Sequence, residues 1–242
     1  MCTVTWTRDS GGYLLLFNRD ERKTRKPADP PSVQSCRGVP FLAPRDGDAG
    51  GTWIAVNQRG LTLALLNHYP AEAAAGPGRT SRGLLVASLM DTADVKALAG
   101  RLEPRALADF RPFFLVALDP ASPAKLHTWD GAKLETRAVP DDAVPVSTSS
   151  FESDAVVNRR RARFAEMRSE QGRVDGELLF RYHTSREEGS DAYSVFMRRP
   201  DAETVSLSRV RVGPDRIDFS YWPRAEIENG AGDAAPLSIL RA

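Results

Sequence analysis

The sequence predicts an α+β fold in which antiparallel sheets carry helices on their outer faces. Strand-like segments come first, two helical zones occupy the middle of the chain, and strand-like segments return after them. Elements segregated in this way favour this fold class. Of the 242 residues, 41% are hydrophobic and 27% are charged. These values are typical of a globular protein and fit a single domain over residues 1–242.

The N-terminal part is predicted to form two hairpins separated by a loop. Thr3–Thr7 alternates, a pair of glycines makes a turn, and Tyr13–Phe17 continues as the second strand. Lys23–Arg37 is polar and contains three prolines, which predicts a long surface loop. We expect this loop to be a lid, because loops of this length are often functional. Thr52–Val56 and Leu61–Leu66 form the second predicted hairpin.

The middle of the chain combines predicted helices with further strands. A Thr or Ser near residue 80 can cap a helix that runs through Met90, and Asp91 can begin another that runs through Leu102. Phe113–Leu118 is a continuous apolar run, as expected of a strand that is covered on both faces. A further hairpin joins Lys125–Trp129 to Lys133–Val139.

A long helix is predicted over Ser153–Glu170, with Val156, Arg160, Phe164 and Met167 on one side. The basic run 159–163, which includes Arg160, is interpreted as a solvated face of this helix. The elements predicted after it are a helix at Asp175–Tyr182, strands at Tyr193–Met197, Thr204–Val212 and Arg216–Tyr221, a loose tail from about residue 223, and a docked segment at Leu237–Leu240.

Charge and composition exclude several classes of function. The chain has 33 Lys and Arg against 32 Asp and Glu, so its net charge of +1 offers no case for nucleic acid. No apolar run approaches the length of a membrane span, and the first residues lack the features of a signal peptide, so we expect a cytoplasmic protein. The histidines are scattered, and the two cysteines suggest neither a disulfide framework nor a metal site. We therefore expect a small-molecule ligand and no metal or cofactor, with the oligomeric state open.

The most informative local feature is the Met1-Cys2 start. Removal of an initiator methionine is favoured when the next residue is small, and it would leave Cys2 with a thiol and a free α-amine. Such an amine has an ordinary pKa of about 8, so it can take the thiol proton, which places nucleophile and base on one residue. We expect a nearby arginine to lower the thiol pKa further. The alternative is that Cys2 is an ordinary buried residue.

Four sequence blocks in the first 70 residues carry a resemblance. They are Met1 to Val4, Phe17 to Glu21, Gly50 to Asn57, and Gly60 to Asn67. In order and spacing they resemble the NRDE family, the family of the transport-and-Golgi-organisation protein. That family is in turn similar to the N-terminal-nucleophile hydrolases, in the cysteine branch that contains penicillin V acylase and bile salt hydrolase.

This resemblance implies a four-layer α-β-β-α sandwich, with two antiparallel sheets between helical layers. It also implies an N-terminal cysteine amidohydrolase that acts on a small N-acyl or related amide. Members of the NRDE family are associated with haem and lipid homeostasis without an agreed reaction. A non-catalytic or weakly catalytic protein that binds haem or lipid is therefore the alternative.

The resemblance also assigns roles to residues. Cys2 would be the nucleophile, Arg19 would favour its thiolate, and Asp20 would hold the new α-amine. Because neighbours on a regular strand point to opposite faces, Arg19 and Asp20 converge only if the strand bends or ends there, and Asn18 or Glu21 could take the second role.

Residues later in the chain complete the predicted site. Asn67 would donate to the oxyanion, and the late arginine falls best on Arg209, with Arg211 close enough to be confused with it. The mid-chain asparagine of the branch is replaced by the hydroxyl run 147–150, so Thr148 and Ser149 are the expected substitutes.

Further residues are expected around the pocket. Trp53, His68 and Asn18 would contact the substrate. Within the loop 46–51, paired glycines would let the backbone approach Cys2 or the ligand. Cys36 is interpreted as a free thiol without a catalytic role.

Overall fold

The computed structural model describes residues 2–72, 80–140, 145–189, 191–230, 232 and 234–242. Within them it contains thirteen strands and seven helices. The strands are β1 (Cys2–Asp9), β2 (Gly12–Arg22), β3 (Asp29–Cys36), β4 (Val39–Arg45), β5 (Ile54–Asn57), β6 (Thr62–Asn67), β7 (Phe113–Leu118), β8 (Lys125–Trp129), β9 (Leu134–Ala138), β10 (Val146–Thr148), β11 (Ala202–Val212), β12 (Arg216–Pro223) and β13 (Leu237–Leu240). The helices are α1 (Tyr69–Glu72), α2 (Arg82–Ser88), α3 (Val95–Leu98), α4 (Pro104–Leu107), α5 (Ser153–Gln171), α6 (Gly176–His183) and α7 (Arg224–Glu228).

The strands form two antiparallel sheets. The first sheet has six strands in the order β10-β1-β2-β11-β12-β13, and the second has seven in the order β3-β4-β5-β6-β7-β8-β9. In the first sheet, β11 returns from a distant part of the sequence to pair with β2. The first strand of the chain therefore lies inside a sheet, between β10 and β2, and not at its edge.

Three apolar cores separate four layers. The largest lies between the sheets and includes Val4, Phe17, Val116 and Val210. A second core joins the seven-stranded sheet to α2, α3 and α4, and a third joins the six-stranded sheet to α5 and α6. The α+β class and the α-β-β-α layering are thus confirmed. Among the described helices, none is both long enough and apolar enough to cross a bilayer.

The two-residue period of β2 decides which side chains reach the site. Tyr13, Leu15 and Phe17 point between the sheets, whereas Leu16 packs against the α5–α6 layer. Arg19 continues the first series and lies directly opposite Cys2 in the register of β1 and β2. Since directly opposed residues share one face of a sheet, Cys2 and Arg19 both face the space between the sheets.

The loop expected over Lys23–Arg37 is mostly a strand, so that expectation is wrong. β3 occupies its second half and pairs with β4, a strand that the sequence analysis did not predict. Prolines lack the N–H that a ladder needs, but here they lie on an edge strand, where the register shifts between Asp29 and Ser32. An edge strand with a bulge is where a sheet tolerates them.

Three further expectations need correction. Tyr193–Met197 is not a strand. The backbone carbonyls of Ser194 and Val195 accept hydrogen bonds from the side chains of Arg160 and Asn18, whereas the carbonyls of a strand accept them from the backbone of its neighbour. The helix expected from Asp91 through Leu102 is reduced to α3 and one 3₁₀ turn. The segment after residue 223 is not simply loose, since it contains α7 and then β13, which pairs with β12.

Candidate active site

The residues predicted to carry the chemistry border a cavity of about 360 Å³, called here the Cys2 cavity. It lies where β1 begins and where β2 and β6 end, and the loop before β5 contributes Asp46, Thr52 and Trp53 to its lining. Cys2, Arg19, Trp53 and Asn67 all line it, although they come from widely separated parts of the sequence. In the described part of the chain, no three His, Cys, Asp or Glu side chains are grouped as metal ligands.

Cys2 is held from both sides by backbone pairing. Its register partners are Arg19 on β2 and Thr148 on β10. Burial raises the pKa of the Cys2 thiol to about 11, and the charges of Asp20 and Glu21 act in the same direction. This pKa belongs to the chain that still carries its initiator methionine, in which burial is the largest influence on the thiol; the lowered pKa expected once the α-amine of Cys2 is free stays a prediction.

Arg19 is almost fully buried, and its charge is balanced inside the cavity. Its guanidinium donates to Asp46, lies 3.4 Å from Glu21, and stacks at 4.0 Å over the ring of Trp53. Although burial acts to raise it, the hydrogen bond from Arg25 and the charge of Arg19 lower the pKa of Asp46 to about 2. The carboxylate of Asp46 is thus ionised, and it fixes the position of Arg19.

The loop 46–51 differs from the expected flexible approach to the ligand. Asp46 accepts hydrogen bonds from the backbone N–H of Asp48 and Ala49, which closes the loop on itself. Gly51 does allow a close backbone approach, but the approach is to Gly83 in the first turn of α2: a Cβ on Gly51 would lie 2.3 Å from the Gly83 carbonyl carbon. The glycine is therefore needed for the packing of α2.

Asn67 ends β6 at the cavity. Its Nδ2 donates to the hydroxyl of Tyr69 at 2.9 Å, and its second N–H has no acceptor among the described residues. Burial raises the pKa of Tyr69, which also lines the cavity, and a negative charge on Cys2 would raise it further. The sequence analysis did not single out Tyr69, so its place in the lining of the Cys2 cavity is a finding of the structure.

Asp20 borders the cavity, but its carboxylate serves the other face of the sheet. It forms an ion pair with Arg160 at 3.2 Å, with both side chains fully buried, and it accepts a hydrogen bond from Thr204 at 2.6 Å. The predicted set of inward residues on α5 is confirmed, since Val156, Arg160, Phe164 and Met167 are its buried residues. The interpretation of Arg160 as solvated is wrong, because Asp20 provides the partner that its burial requires.

Asn18 is not a substrate-contacting residue. It lies one position before Arg19 and so points to the opposite face, where it is completely buried. Its amide donates to the carbonyls of His183 and Val195, and its oxygen lies 3.0 Å from the His183 ring. The bend that would bring neighbouring residues of β2 to one side is absent at Asn18 and Arg19. Glu21, which shares the face of Arg19, borders the cavity instead.

The expected approach of Arg209 to Cys2 is also wrong. Arg209 lies on the outer face of β11, where its guanidinium stacks at 5.0 Å on Trp222 and lies 3.3 Å from the Ser220 hydroxyl. Arg211 lies on the same face and pairs with Asp9. The late arginine that does line the cavity is Arg199, which precedes β11 and was not singled out from the sequence. The one feature of the sequence that marks Arg199 is that it directly precedes Pro200.

The hydroxyl run 147–150 contributes unequally. Thr148 lies directly opposite Cys2, and its Oγ1 is buried with no hydrogen-bond partner among the described residues. The Ser149 hydroxyl is taken up by the backbone of Phe151, and Ser150 is the member of the run that lines the cavity. His68 does not line it, because its ring stacks at 4.3 Å on Phe114.

Comparison with known proteins adds a family and a fold. The family model of Transport and Golgi organisation 2 matches residues 1–209. No curated protein sequence matches the chain.

Several solved structures share the architecture at low sequence identity. A Caenorhabditis elegans ortholog of N-acylethanolamine-hydrolyzing acid amidase aligns with a TM-score of 0.62 at 10% identity, covering 86% of this chain and 92% of that one. The C2A mutant of the conjugated bile acid hydrolase from Clostridium perfringens aligns at 0.54 and 11%, covering 100% and 97%. Penicillin V acylase from Agrobacterium tumefaciens aligns at 0.52 and 11%, covering 93% and 87%. At these identities the likeness shows the fold alone.

Proposed function

The chain belongs to the Transport and Golgi organisation 2 family, and from this premise we propose that it is an N-terminal cysteine amidohydrolase acting on a small N-acyl or related amide. The observation that carries the proposal is the meeting of Cys2, Arg19 and Asn67 at one cavity. The β1–β2 hairpin pairs Cys2 with Arg19, and the packing of the second sheet brings Asn67 of β6 to the same cavity. The fold shared with an acid amidase, an acylase and a bile acid hydrolase supports the same reaction class.

In the proposed reaction, loss of the initiator methionine leaves the α-amine of Cys2 as the base. The amine takes the thiol proton while sulfur attacks the amide carbonyl, and the resulting oxyanion accepts a hydrogen bond from the second N–H of Asn67. The C–N bond then breaks, the proton passes to the leaving amine, and an acyl thioester remains on Cys2. Water hydrolyses the thioester, releasing the acid and restoring the thiol.

The remaining predicted residues take supporting roles in this proposal. Arg19 places a positive charge on the Cys2 face of the sheet, and Glu21 is the carboxylate on that face which could hold the α-amine. To hold the α-amine as predicted, the carboxylate of Asp20 would have to bind it in addition to Arg160 and Thr204, because both carboxylate oxygens already accept hydrogen bonds. Thr148 is our candidate to replace the missing asparagine, because it is the register partner of Cys2 and its buried hydroxyl has no hydrogen-bond partner among the described residues.

The character of the cavity does not favour the alternative of a haem or lipid carrier. Sites for such ligands are lined mainly by apolar and aromatic side chains. More than half of the described residues that line the Cys2 cavity are charged, and Trp53, Leu65 and Tyr69 are its main apolar surfaces. A small polar substrate fits this lining better than an acyl chain or a porphyrin.

The proposal is tested with protein whose N-terminus is known from intact mass. One preparation begins at Cys2 and a second carries an N-terminal extension, and both are assayed on a panel of N-acyl amides. We expect turnover only in the first preparation, its abolition in Cys2→Ala, and no change in Cys36→Ser. Asn67→Ala should lower kcat by about 10²- to 10³-fold, the usual effect of removing one oxyanion donor. Equal activity of Cys2→Ala and the unchanged protein would refute the mechanism.

A further inference from the structure

The acidic side chains of the Cys2 cavity are all engaged by arginines. The pairs are Asp20 with Arg160, Glu21 and Asp46 with Arg19 and Arg25, Glu72 with Arg82, and Asp201 with Arg199. No carboxylate that lines the described cavity is left to attract a cationic ligand.

Two arginines of the lining remain. The guanidinium groups of Arg22 and Arg111 form no hydrogen bond or ion pair with any described residue, and both side chains are exposed. The charge of Arg22 also acts on Asp201, but Arg199 lies 3.0 Å from that carboxylate and holds it. The lining of the cavity therefore includes two exposed positive groups whose own chain supplies no counter-ion among the described residues.

Each of these arginines lies close in sequence to a residue of the predicted site or to its register partner. Arg22 ends β2 and lies three residues beyond Arg19. Arg111 lies two residues before Phe113, which is the register partner of Asn67 at the start of β7. Arg22 therefore comes from the first sheet, and Arg111 comes from the segment that leads into β7 of the second sheet. Three residues of extended strand separate two Cα atoms by about 10 Å, a distance that a long arginine side chain can shorten by reaching back along the strand.

We propose that the substrate of the Cys2 cavity carries a carboxylate, which Arg22 and Arg111 hold at the mouth while the amide lies against Cys2. This inference rests on the proposed amide hydrolysis and adds the class of substrate. A planar guanidinium donates two parallel hydrogen bonds to a carboxylate, and both partners are strengthened by their charges. A cleft mouth of one sign also raises the local concentration of oppositely charged substrate.

The test measures binding to the Cys2→Ala chain, so that it does not depend on turnover. The probes are N-butyrylglycine and N-ethylsuccinamic acid, which place a carboxylate on either side of an amide, and neutral N-butyrylethanolamine. By titration calorimetry at low salt, we expect at least one acid to bind about fivefold or more tightly than the neutral probe. The preference should disappear when Arg22→Gln and Arg111→Gln are combined, and it should weaken as salt is raised.

Arg45→Gln is the matched control, because Arg45 is an exposed arginine at the end of β4 that does not line the cavity. It should leave the preference unchanged. Equal binding of all three probes, no binding of either acid at millimolar concentration, or a preference that survives Arg22→Gln/Arg111→Gln would overturn the inference. Turnover measured separately on the intact protein keeps the two proposals apart. A preference without turnover refutes the hydrolysis alone, whereas turnover without a preference refutes the carboxylate alone.

Discussion

Replacing Arg160 by Met is expected to destabilise the protein strongly although it preserves much of the apolar stem of the side chain. The guanidinium donates to Asp20, to the Thr3 hydroxyl at 2.7 Å and to the Ser194 carbonyl at 2.8 Å. Both members of the ion pair have no solvent-exposed side-chain surface. The substitution would therefore leave a buried carboxylate without its counter-ion and two polar groups without one of their partners.

The size of the effect follows from that burial. Removing one partner of a buried ion pair costs about 3–5 kcal/mol, because the remaining charge is uncompensated in a medium that solvates it poorly. A loss of this size is a large part of the total stability of about 5–15 kcal/mol that is usual for a folded domain. Asp20→Asn combined with Arg160→Met should cost less than the sum of the single changes, since the double variant buries no unpaired charge.

Urea unfolding followed by circular dichroism measures these free energies. Arg161→Met is the control, because Arg161 is the next residue on α5 and is exposed. We expect it to change the free energy of unfolding by less than about 0.5 kcal/mol. If Arg160→Met and Arg161→Met have similar unfolding free energies, or if the effects of the Asp20 and Arg160 changes simply add, the reasoning is refuted.

Three further predictions follow from the site and its supports. In the chain that retains its initiator methionine, the thiol pKa of Cys2 is about 11, so we expect Cys2 to react with iodoacetamide more slowly than Cys36 at pH 7.5. Peptide mass spectrometry measures both labelling rates, and removal of the methionine should reverse their order. Burial lowers the pKa of His183 to about 3, below the unfolded value of 6.5, so its contribution to stability is complete above pH 6.5 and is lost as the pH falls toward 3. The loss should be on the order of 3–5 kcal/mol in urea unfolding at successive pH values and should be absent from His183→Asn. Gly51→Ala should lower the free energy of unfolding by about 1–3 kcal/mol, because its Cβ would enter the first turn of α2. Gly100→Ala should leave stability unchanged, because nothing lies within 4 Å of a Cβ there. Equal thermal midpoints for the two variants would contradict this prediction.

The parts of the fold that could be predicted are those with a clear local period. The alternation of β1 and β2 identified them as strands, and the 3.6-residue spacing on α5 identified its buried side, including Arg160. The period could not show that a charge on that face has a partner, because Asp20 lies 140 residues away. The burial of Arg160 is a property of the assembled layers and has no local signal.

The sequence located the site residues that belong to a motif at the end of a strand. It failed for residues whose position depends on which face of a strand they occupy. Cys2, Arg19 and Asn67 lie on the cavity side. Arg209 was assigned to the site from its order in the sequence. The register of β11 with β2 shifts by one residue between Thr204 and Ser206, so counting residues along β11 cannot tell which face Arg209 occupies. Asn18 was misplaced for the simpler reason that its neighbour Arg19 takes the inward side.

The position of β1 between two partners also has a consequence in time. Thr3 and Ser147, which meet across β1 and β10, are 144 residues apart. At the usual rates of synthesis of about 5–20 residues per second, the first strand of the chain waits on the order of ten seconds before its second neighbour exists. During that interval the start of the chain lacks one of the two strands that enclose it, and an aminopeptidase can act on it. We therefore expect residue 2 to be more accessible to processing before Val146–Thr148 has left the ribosome and paired with β1 than after it.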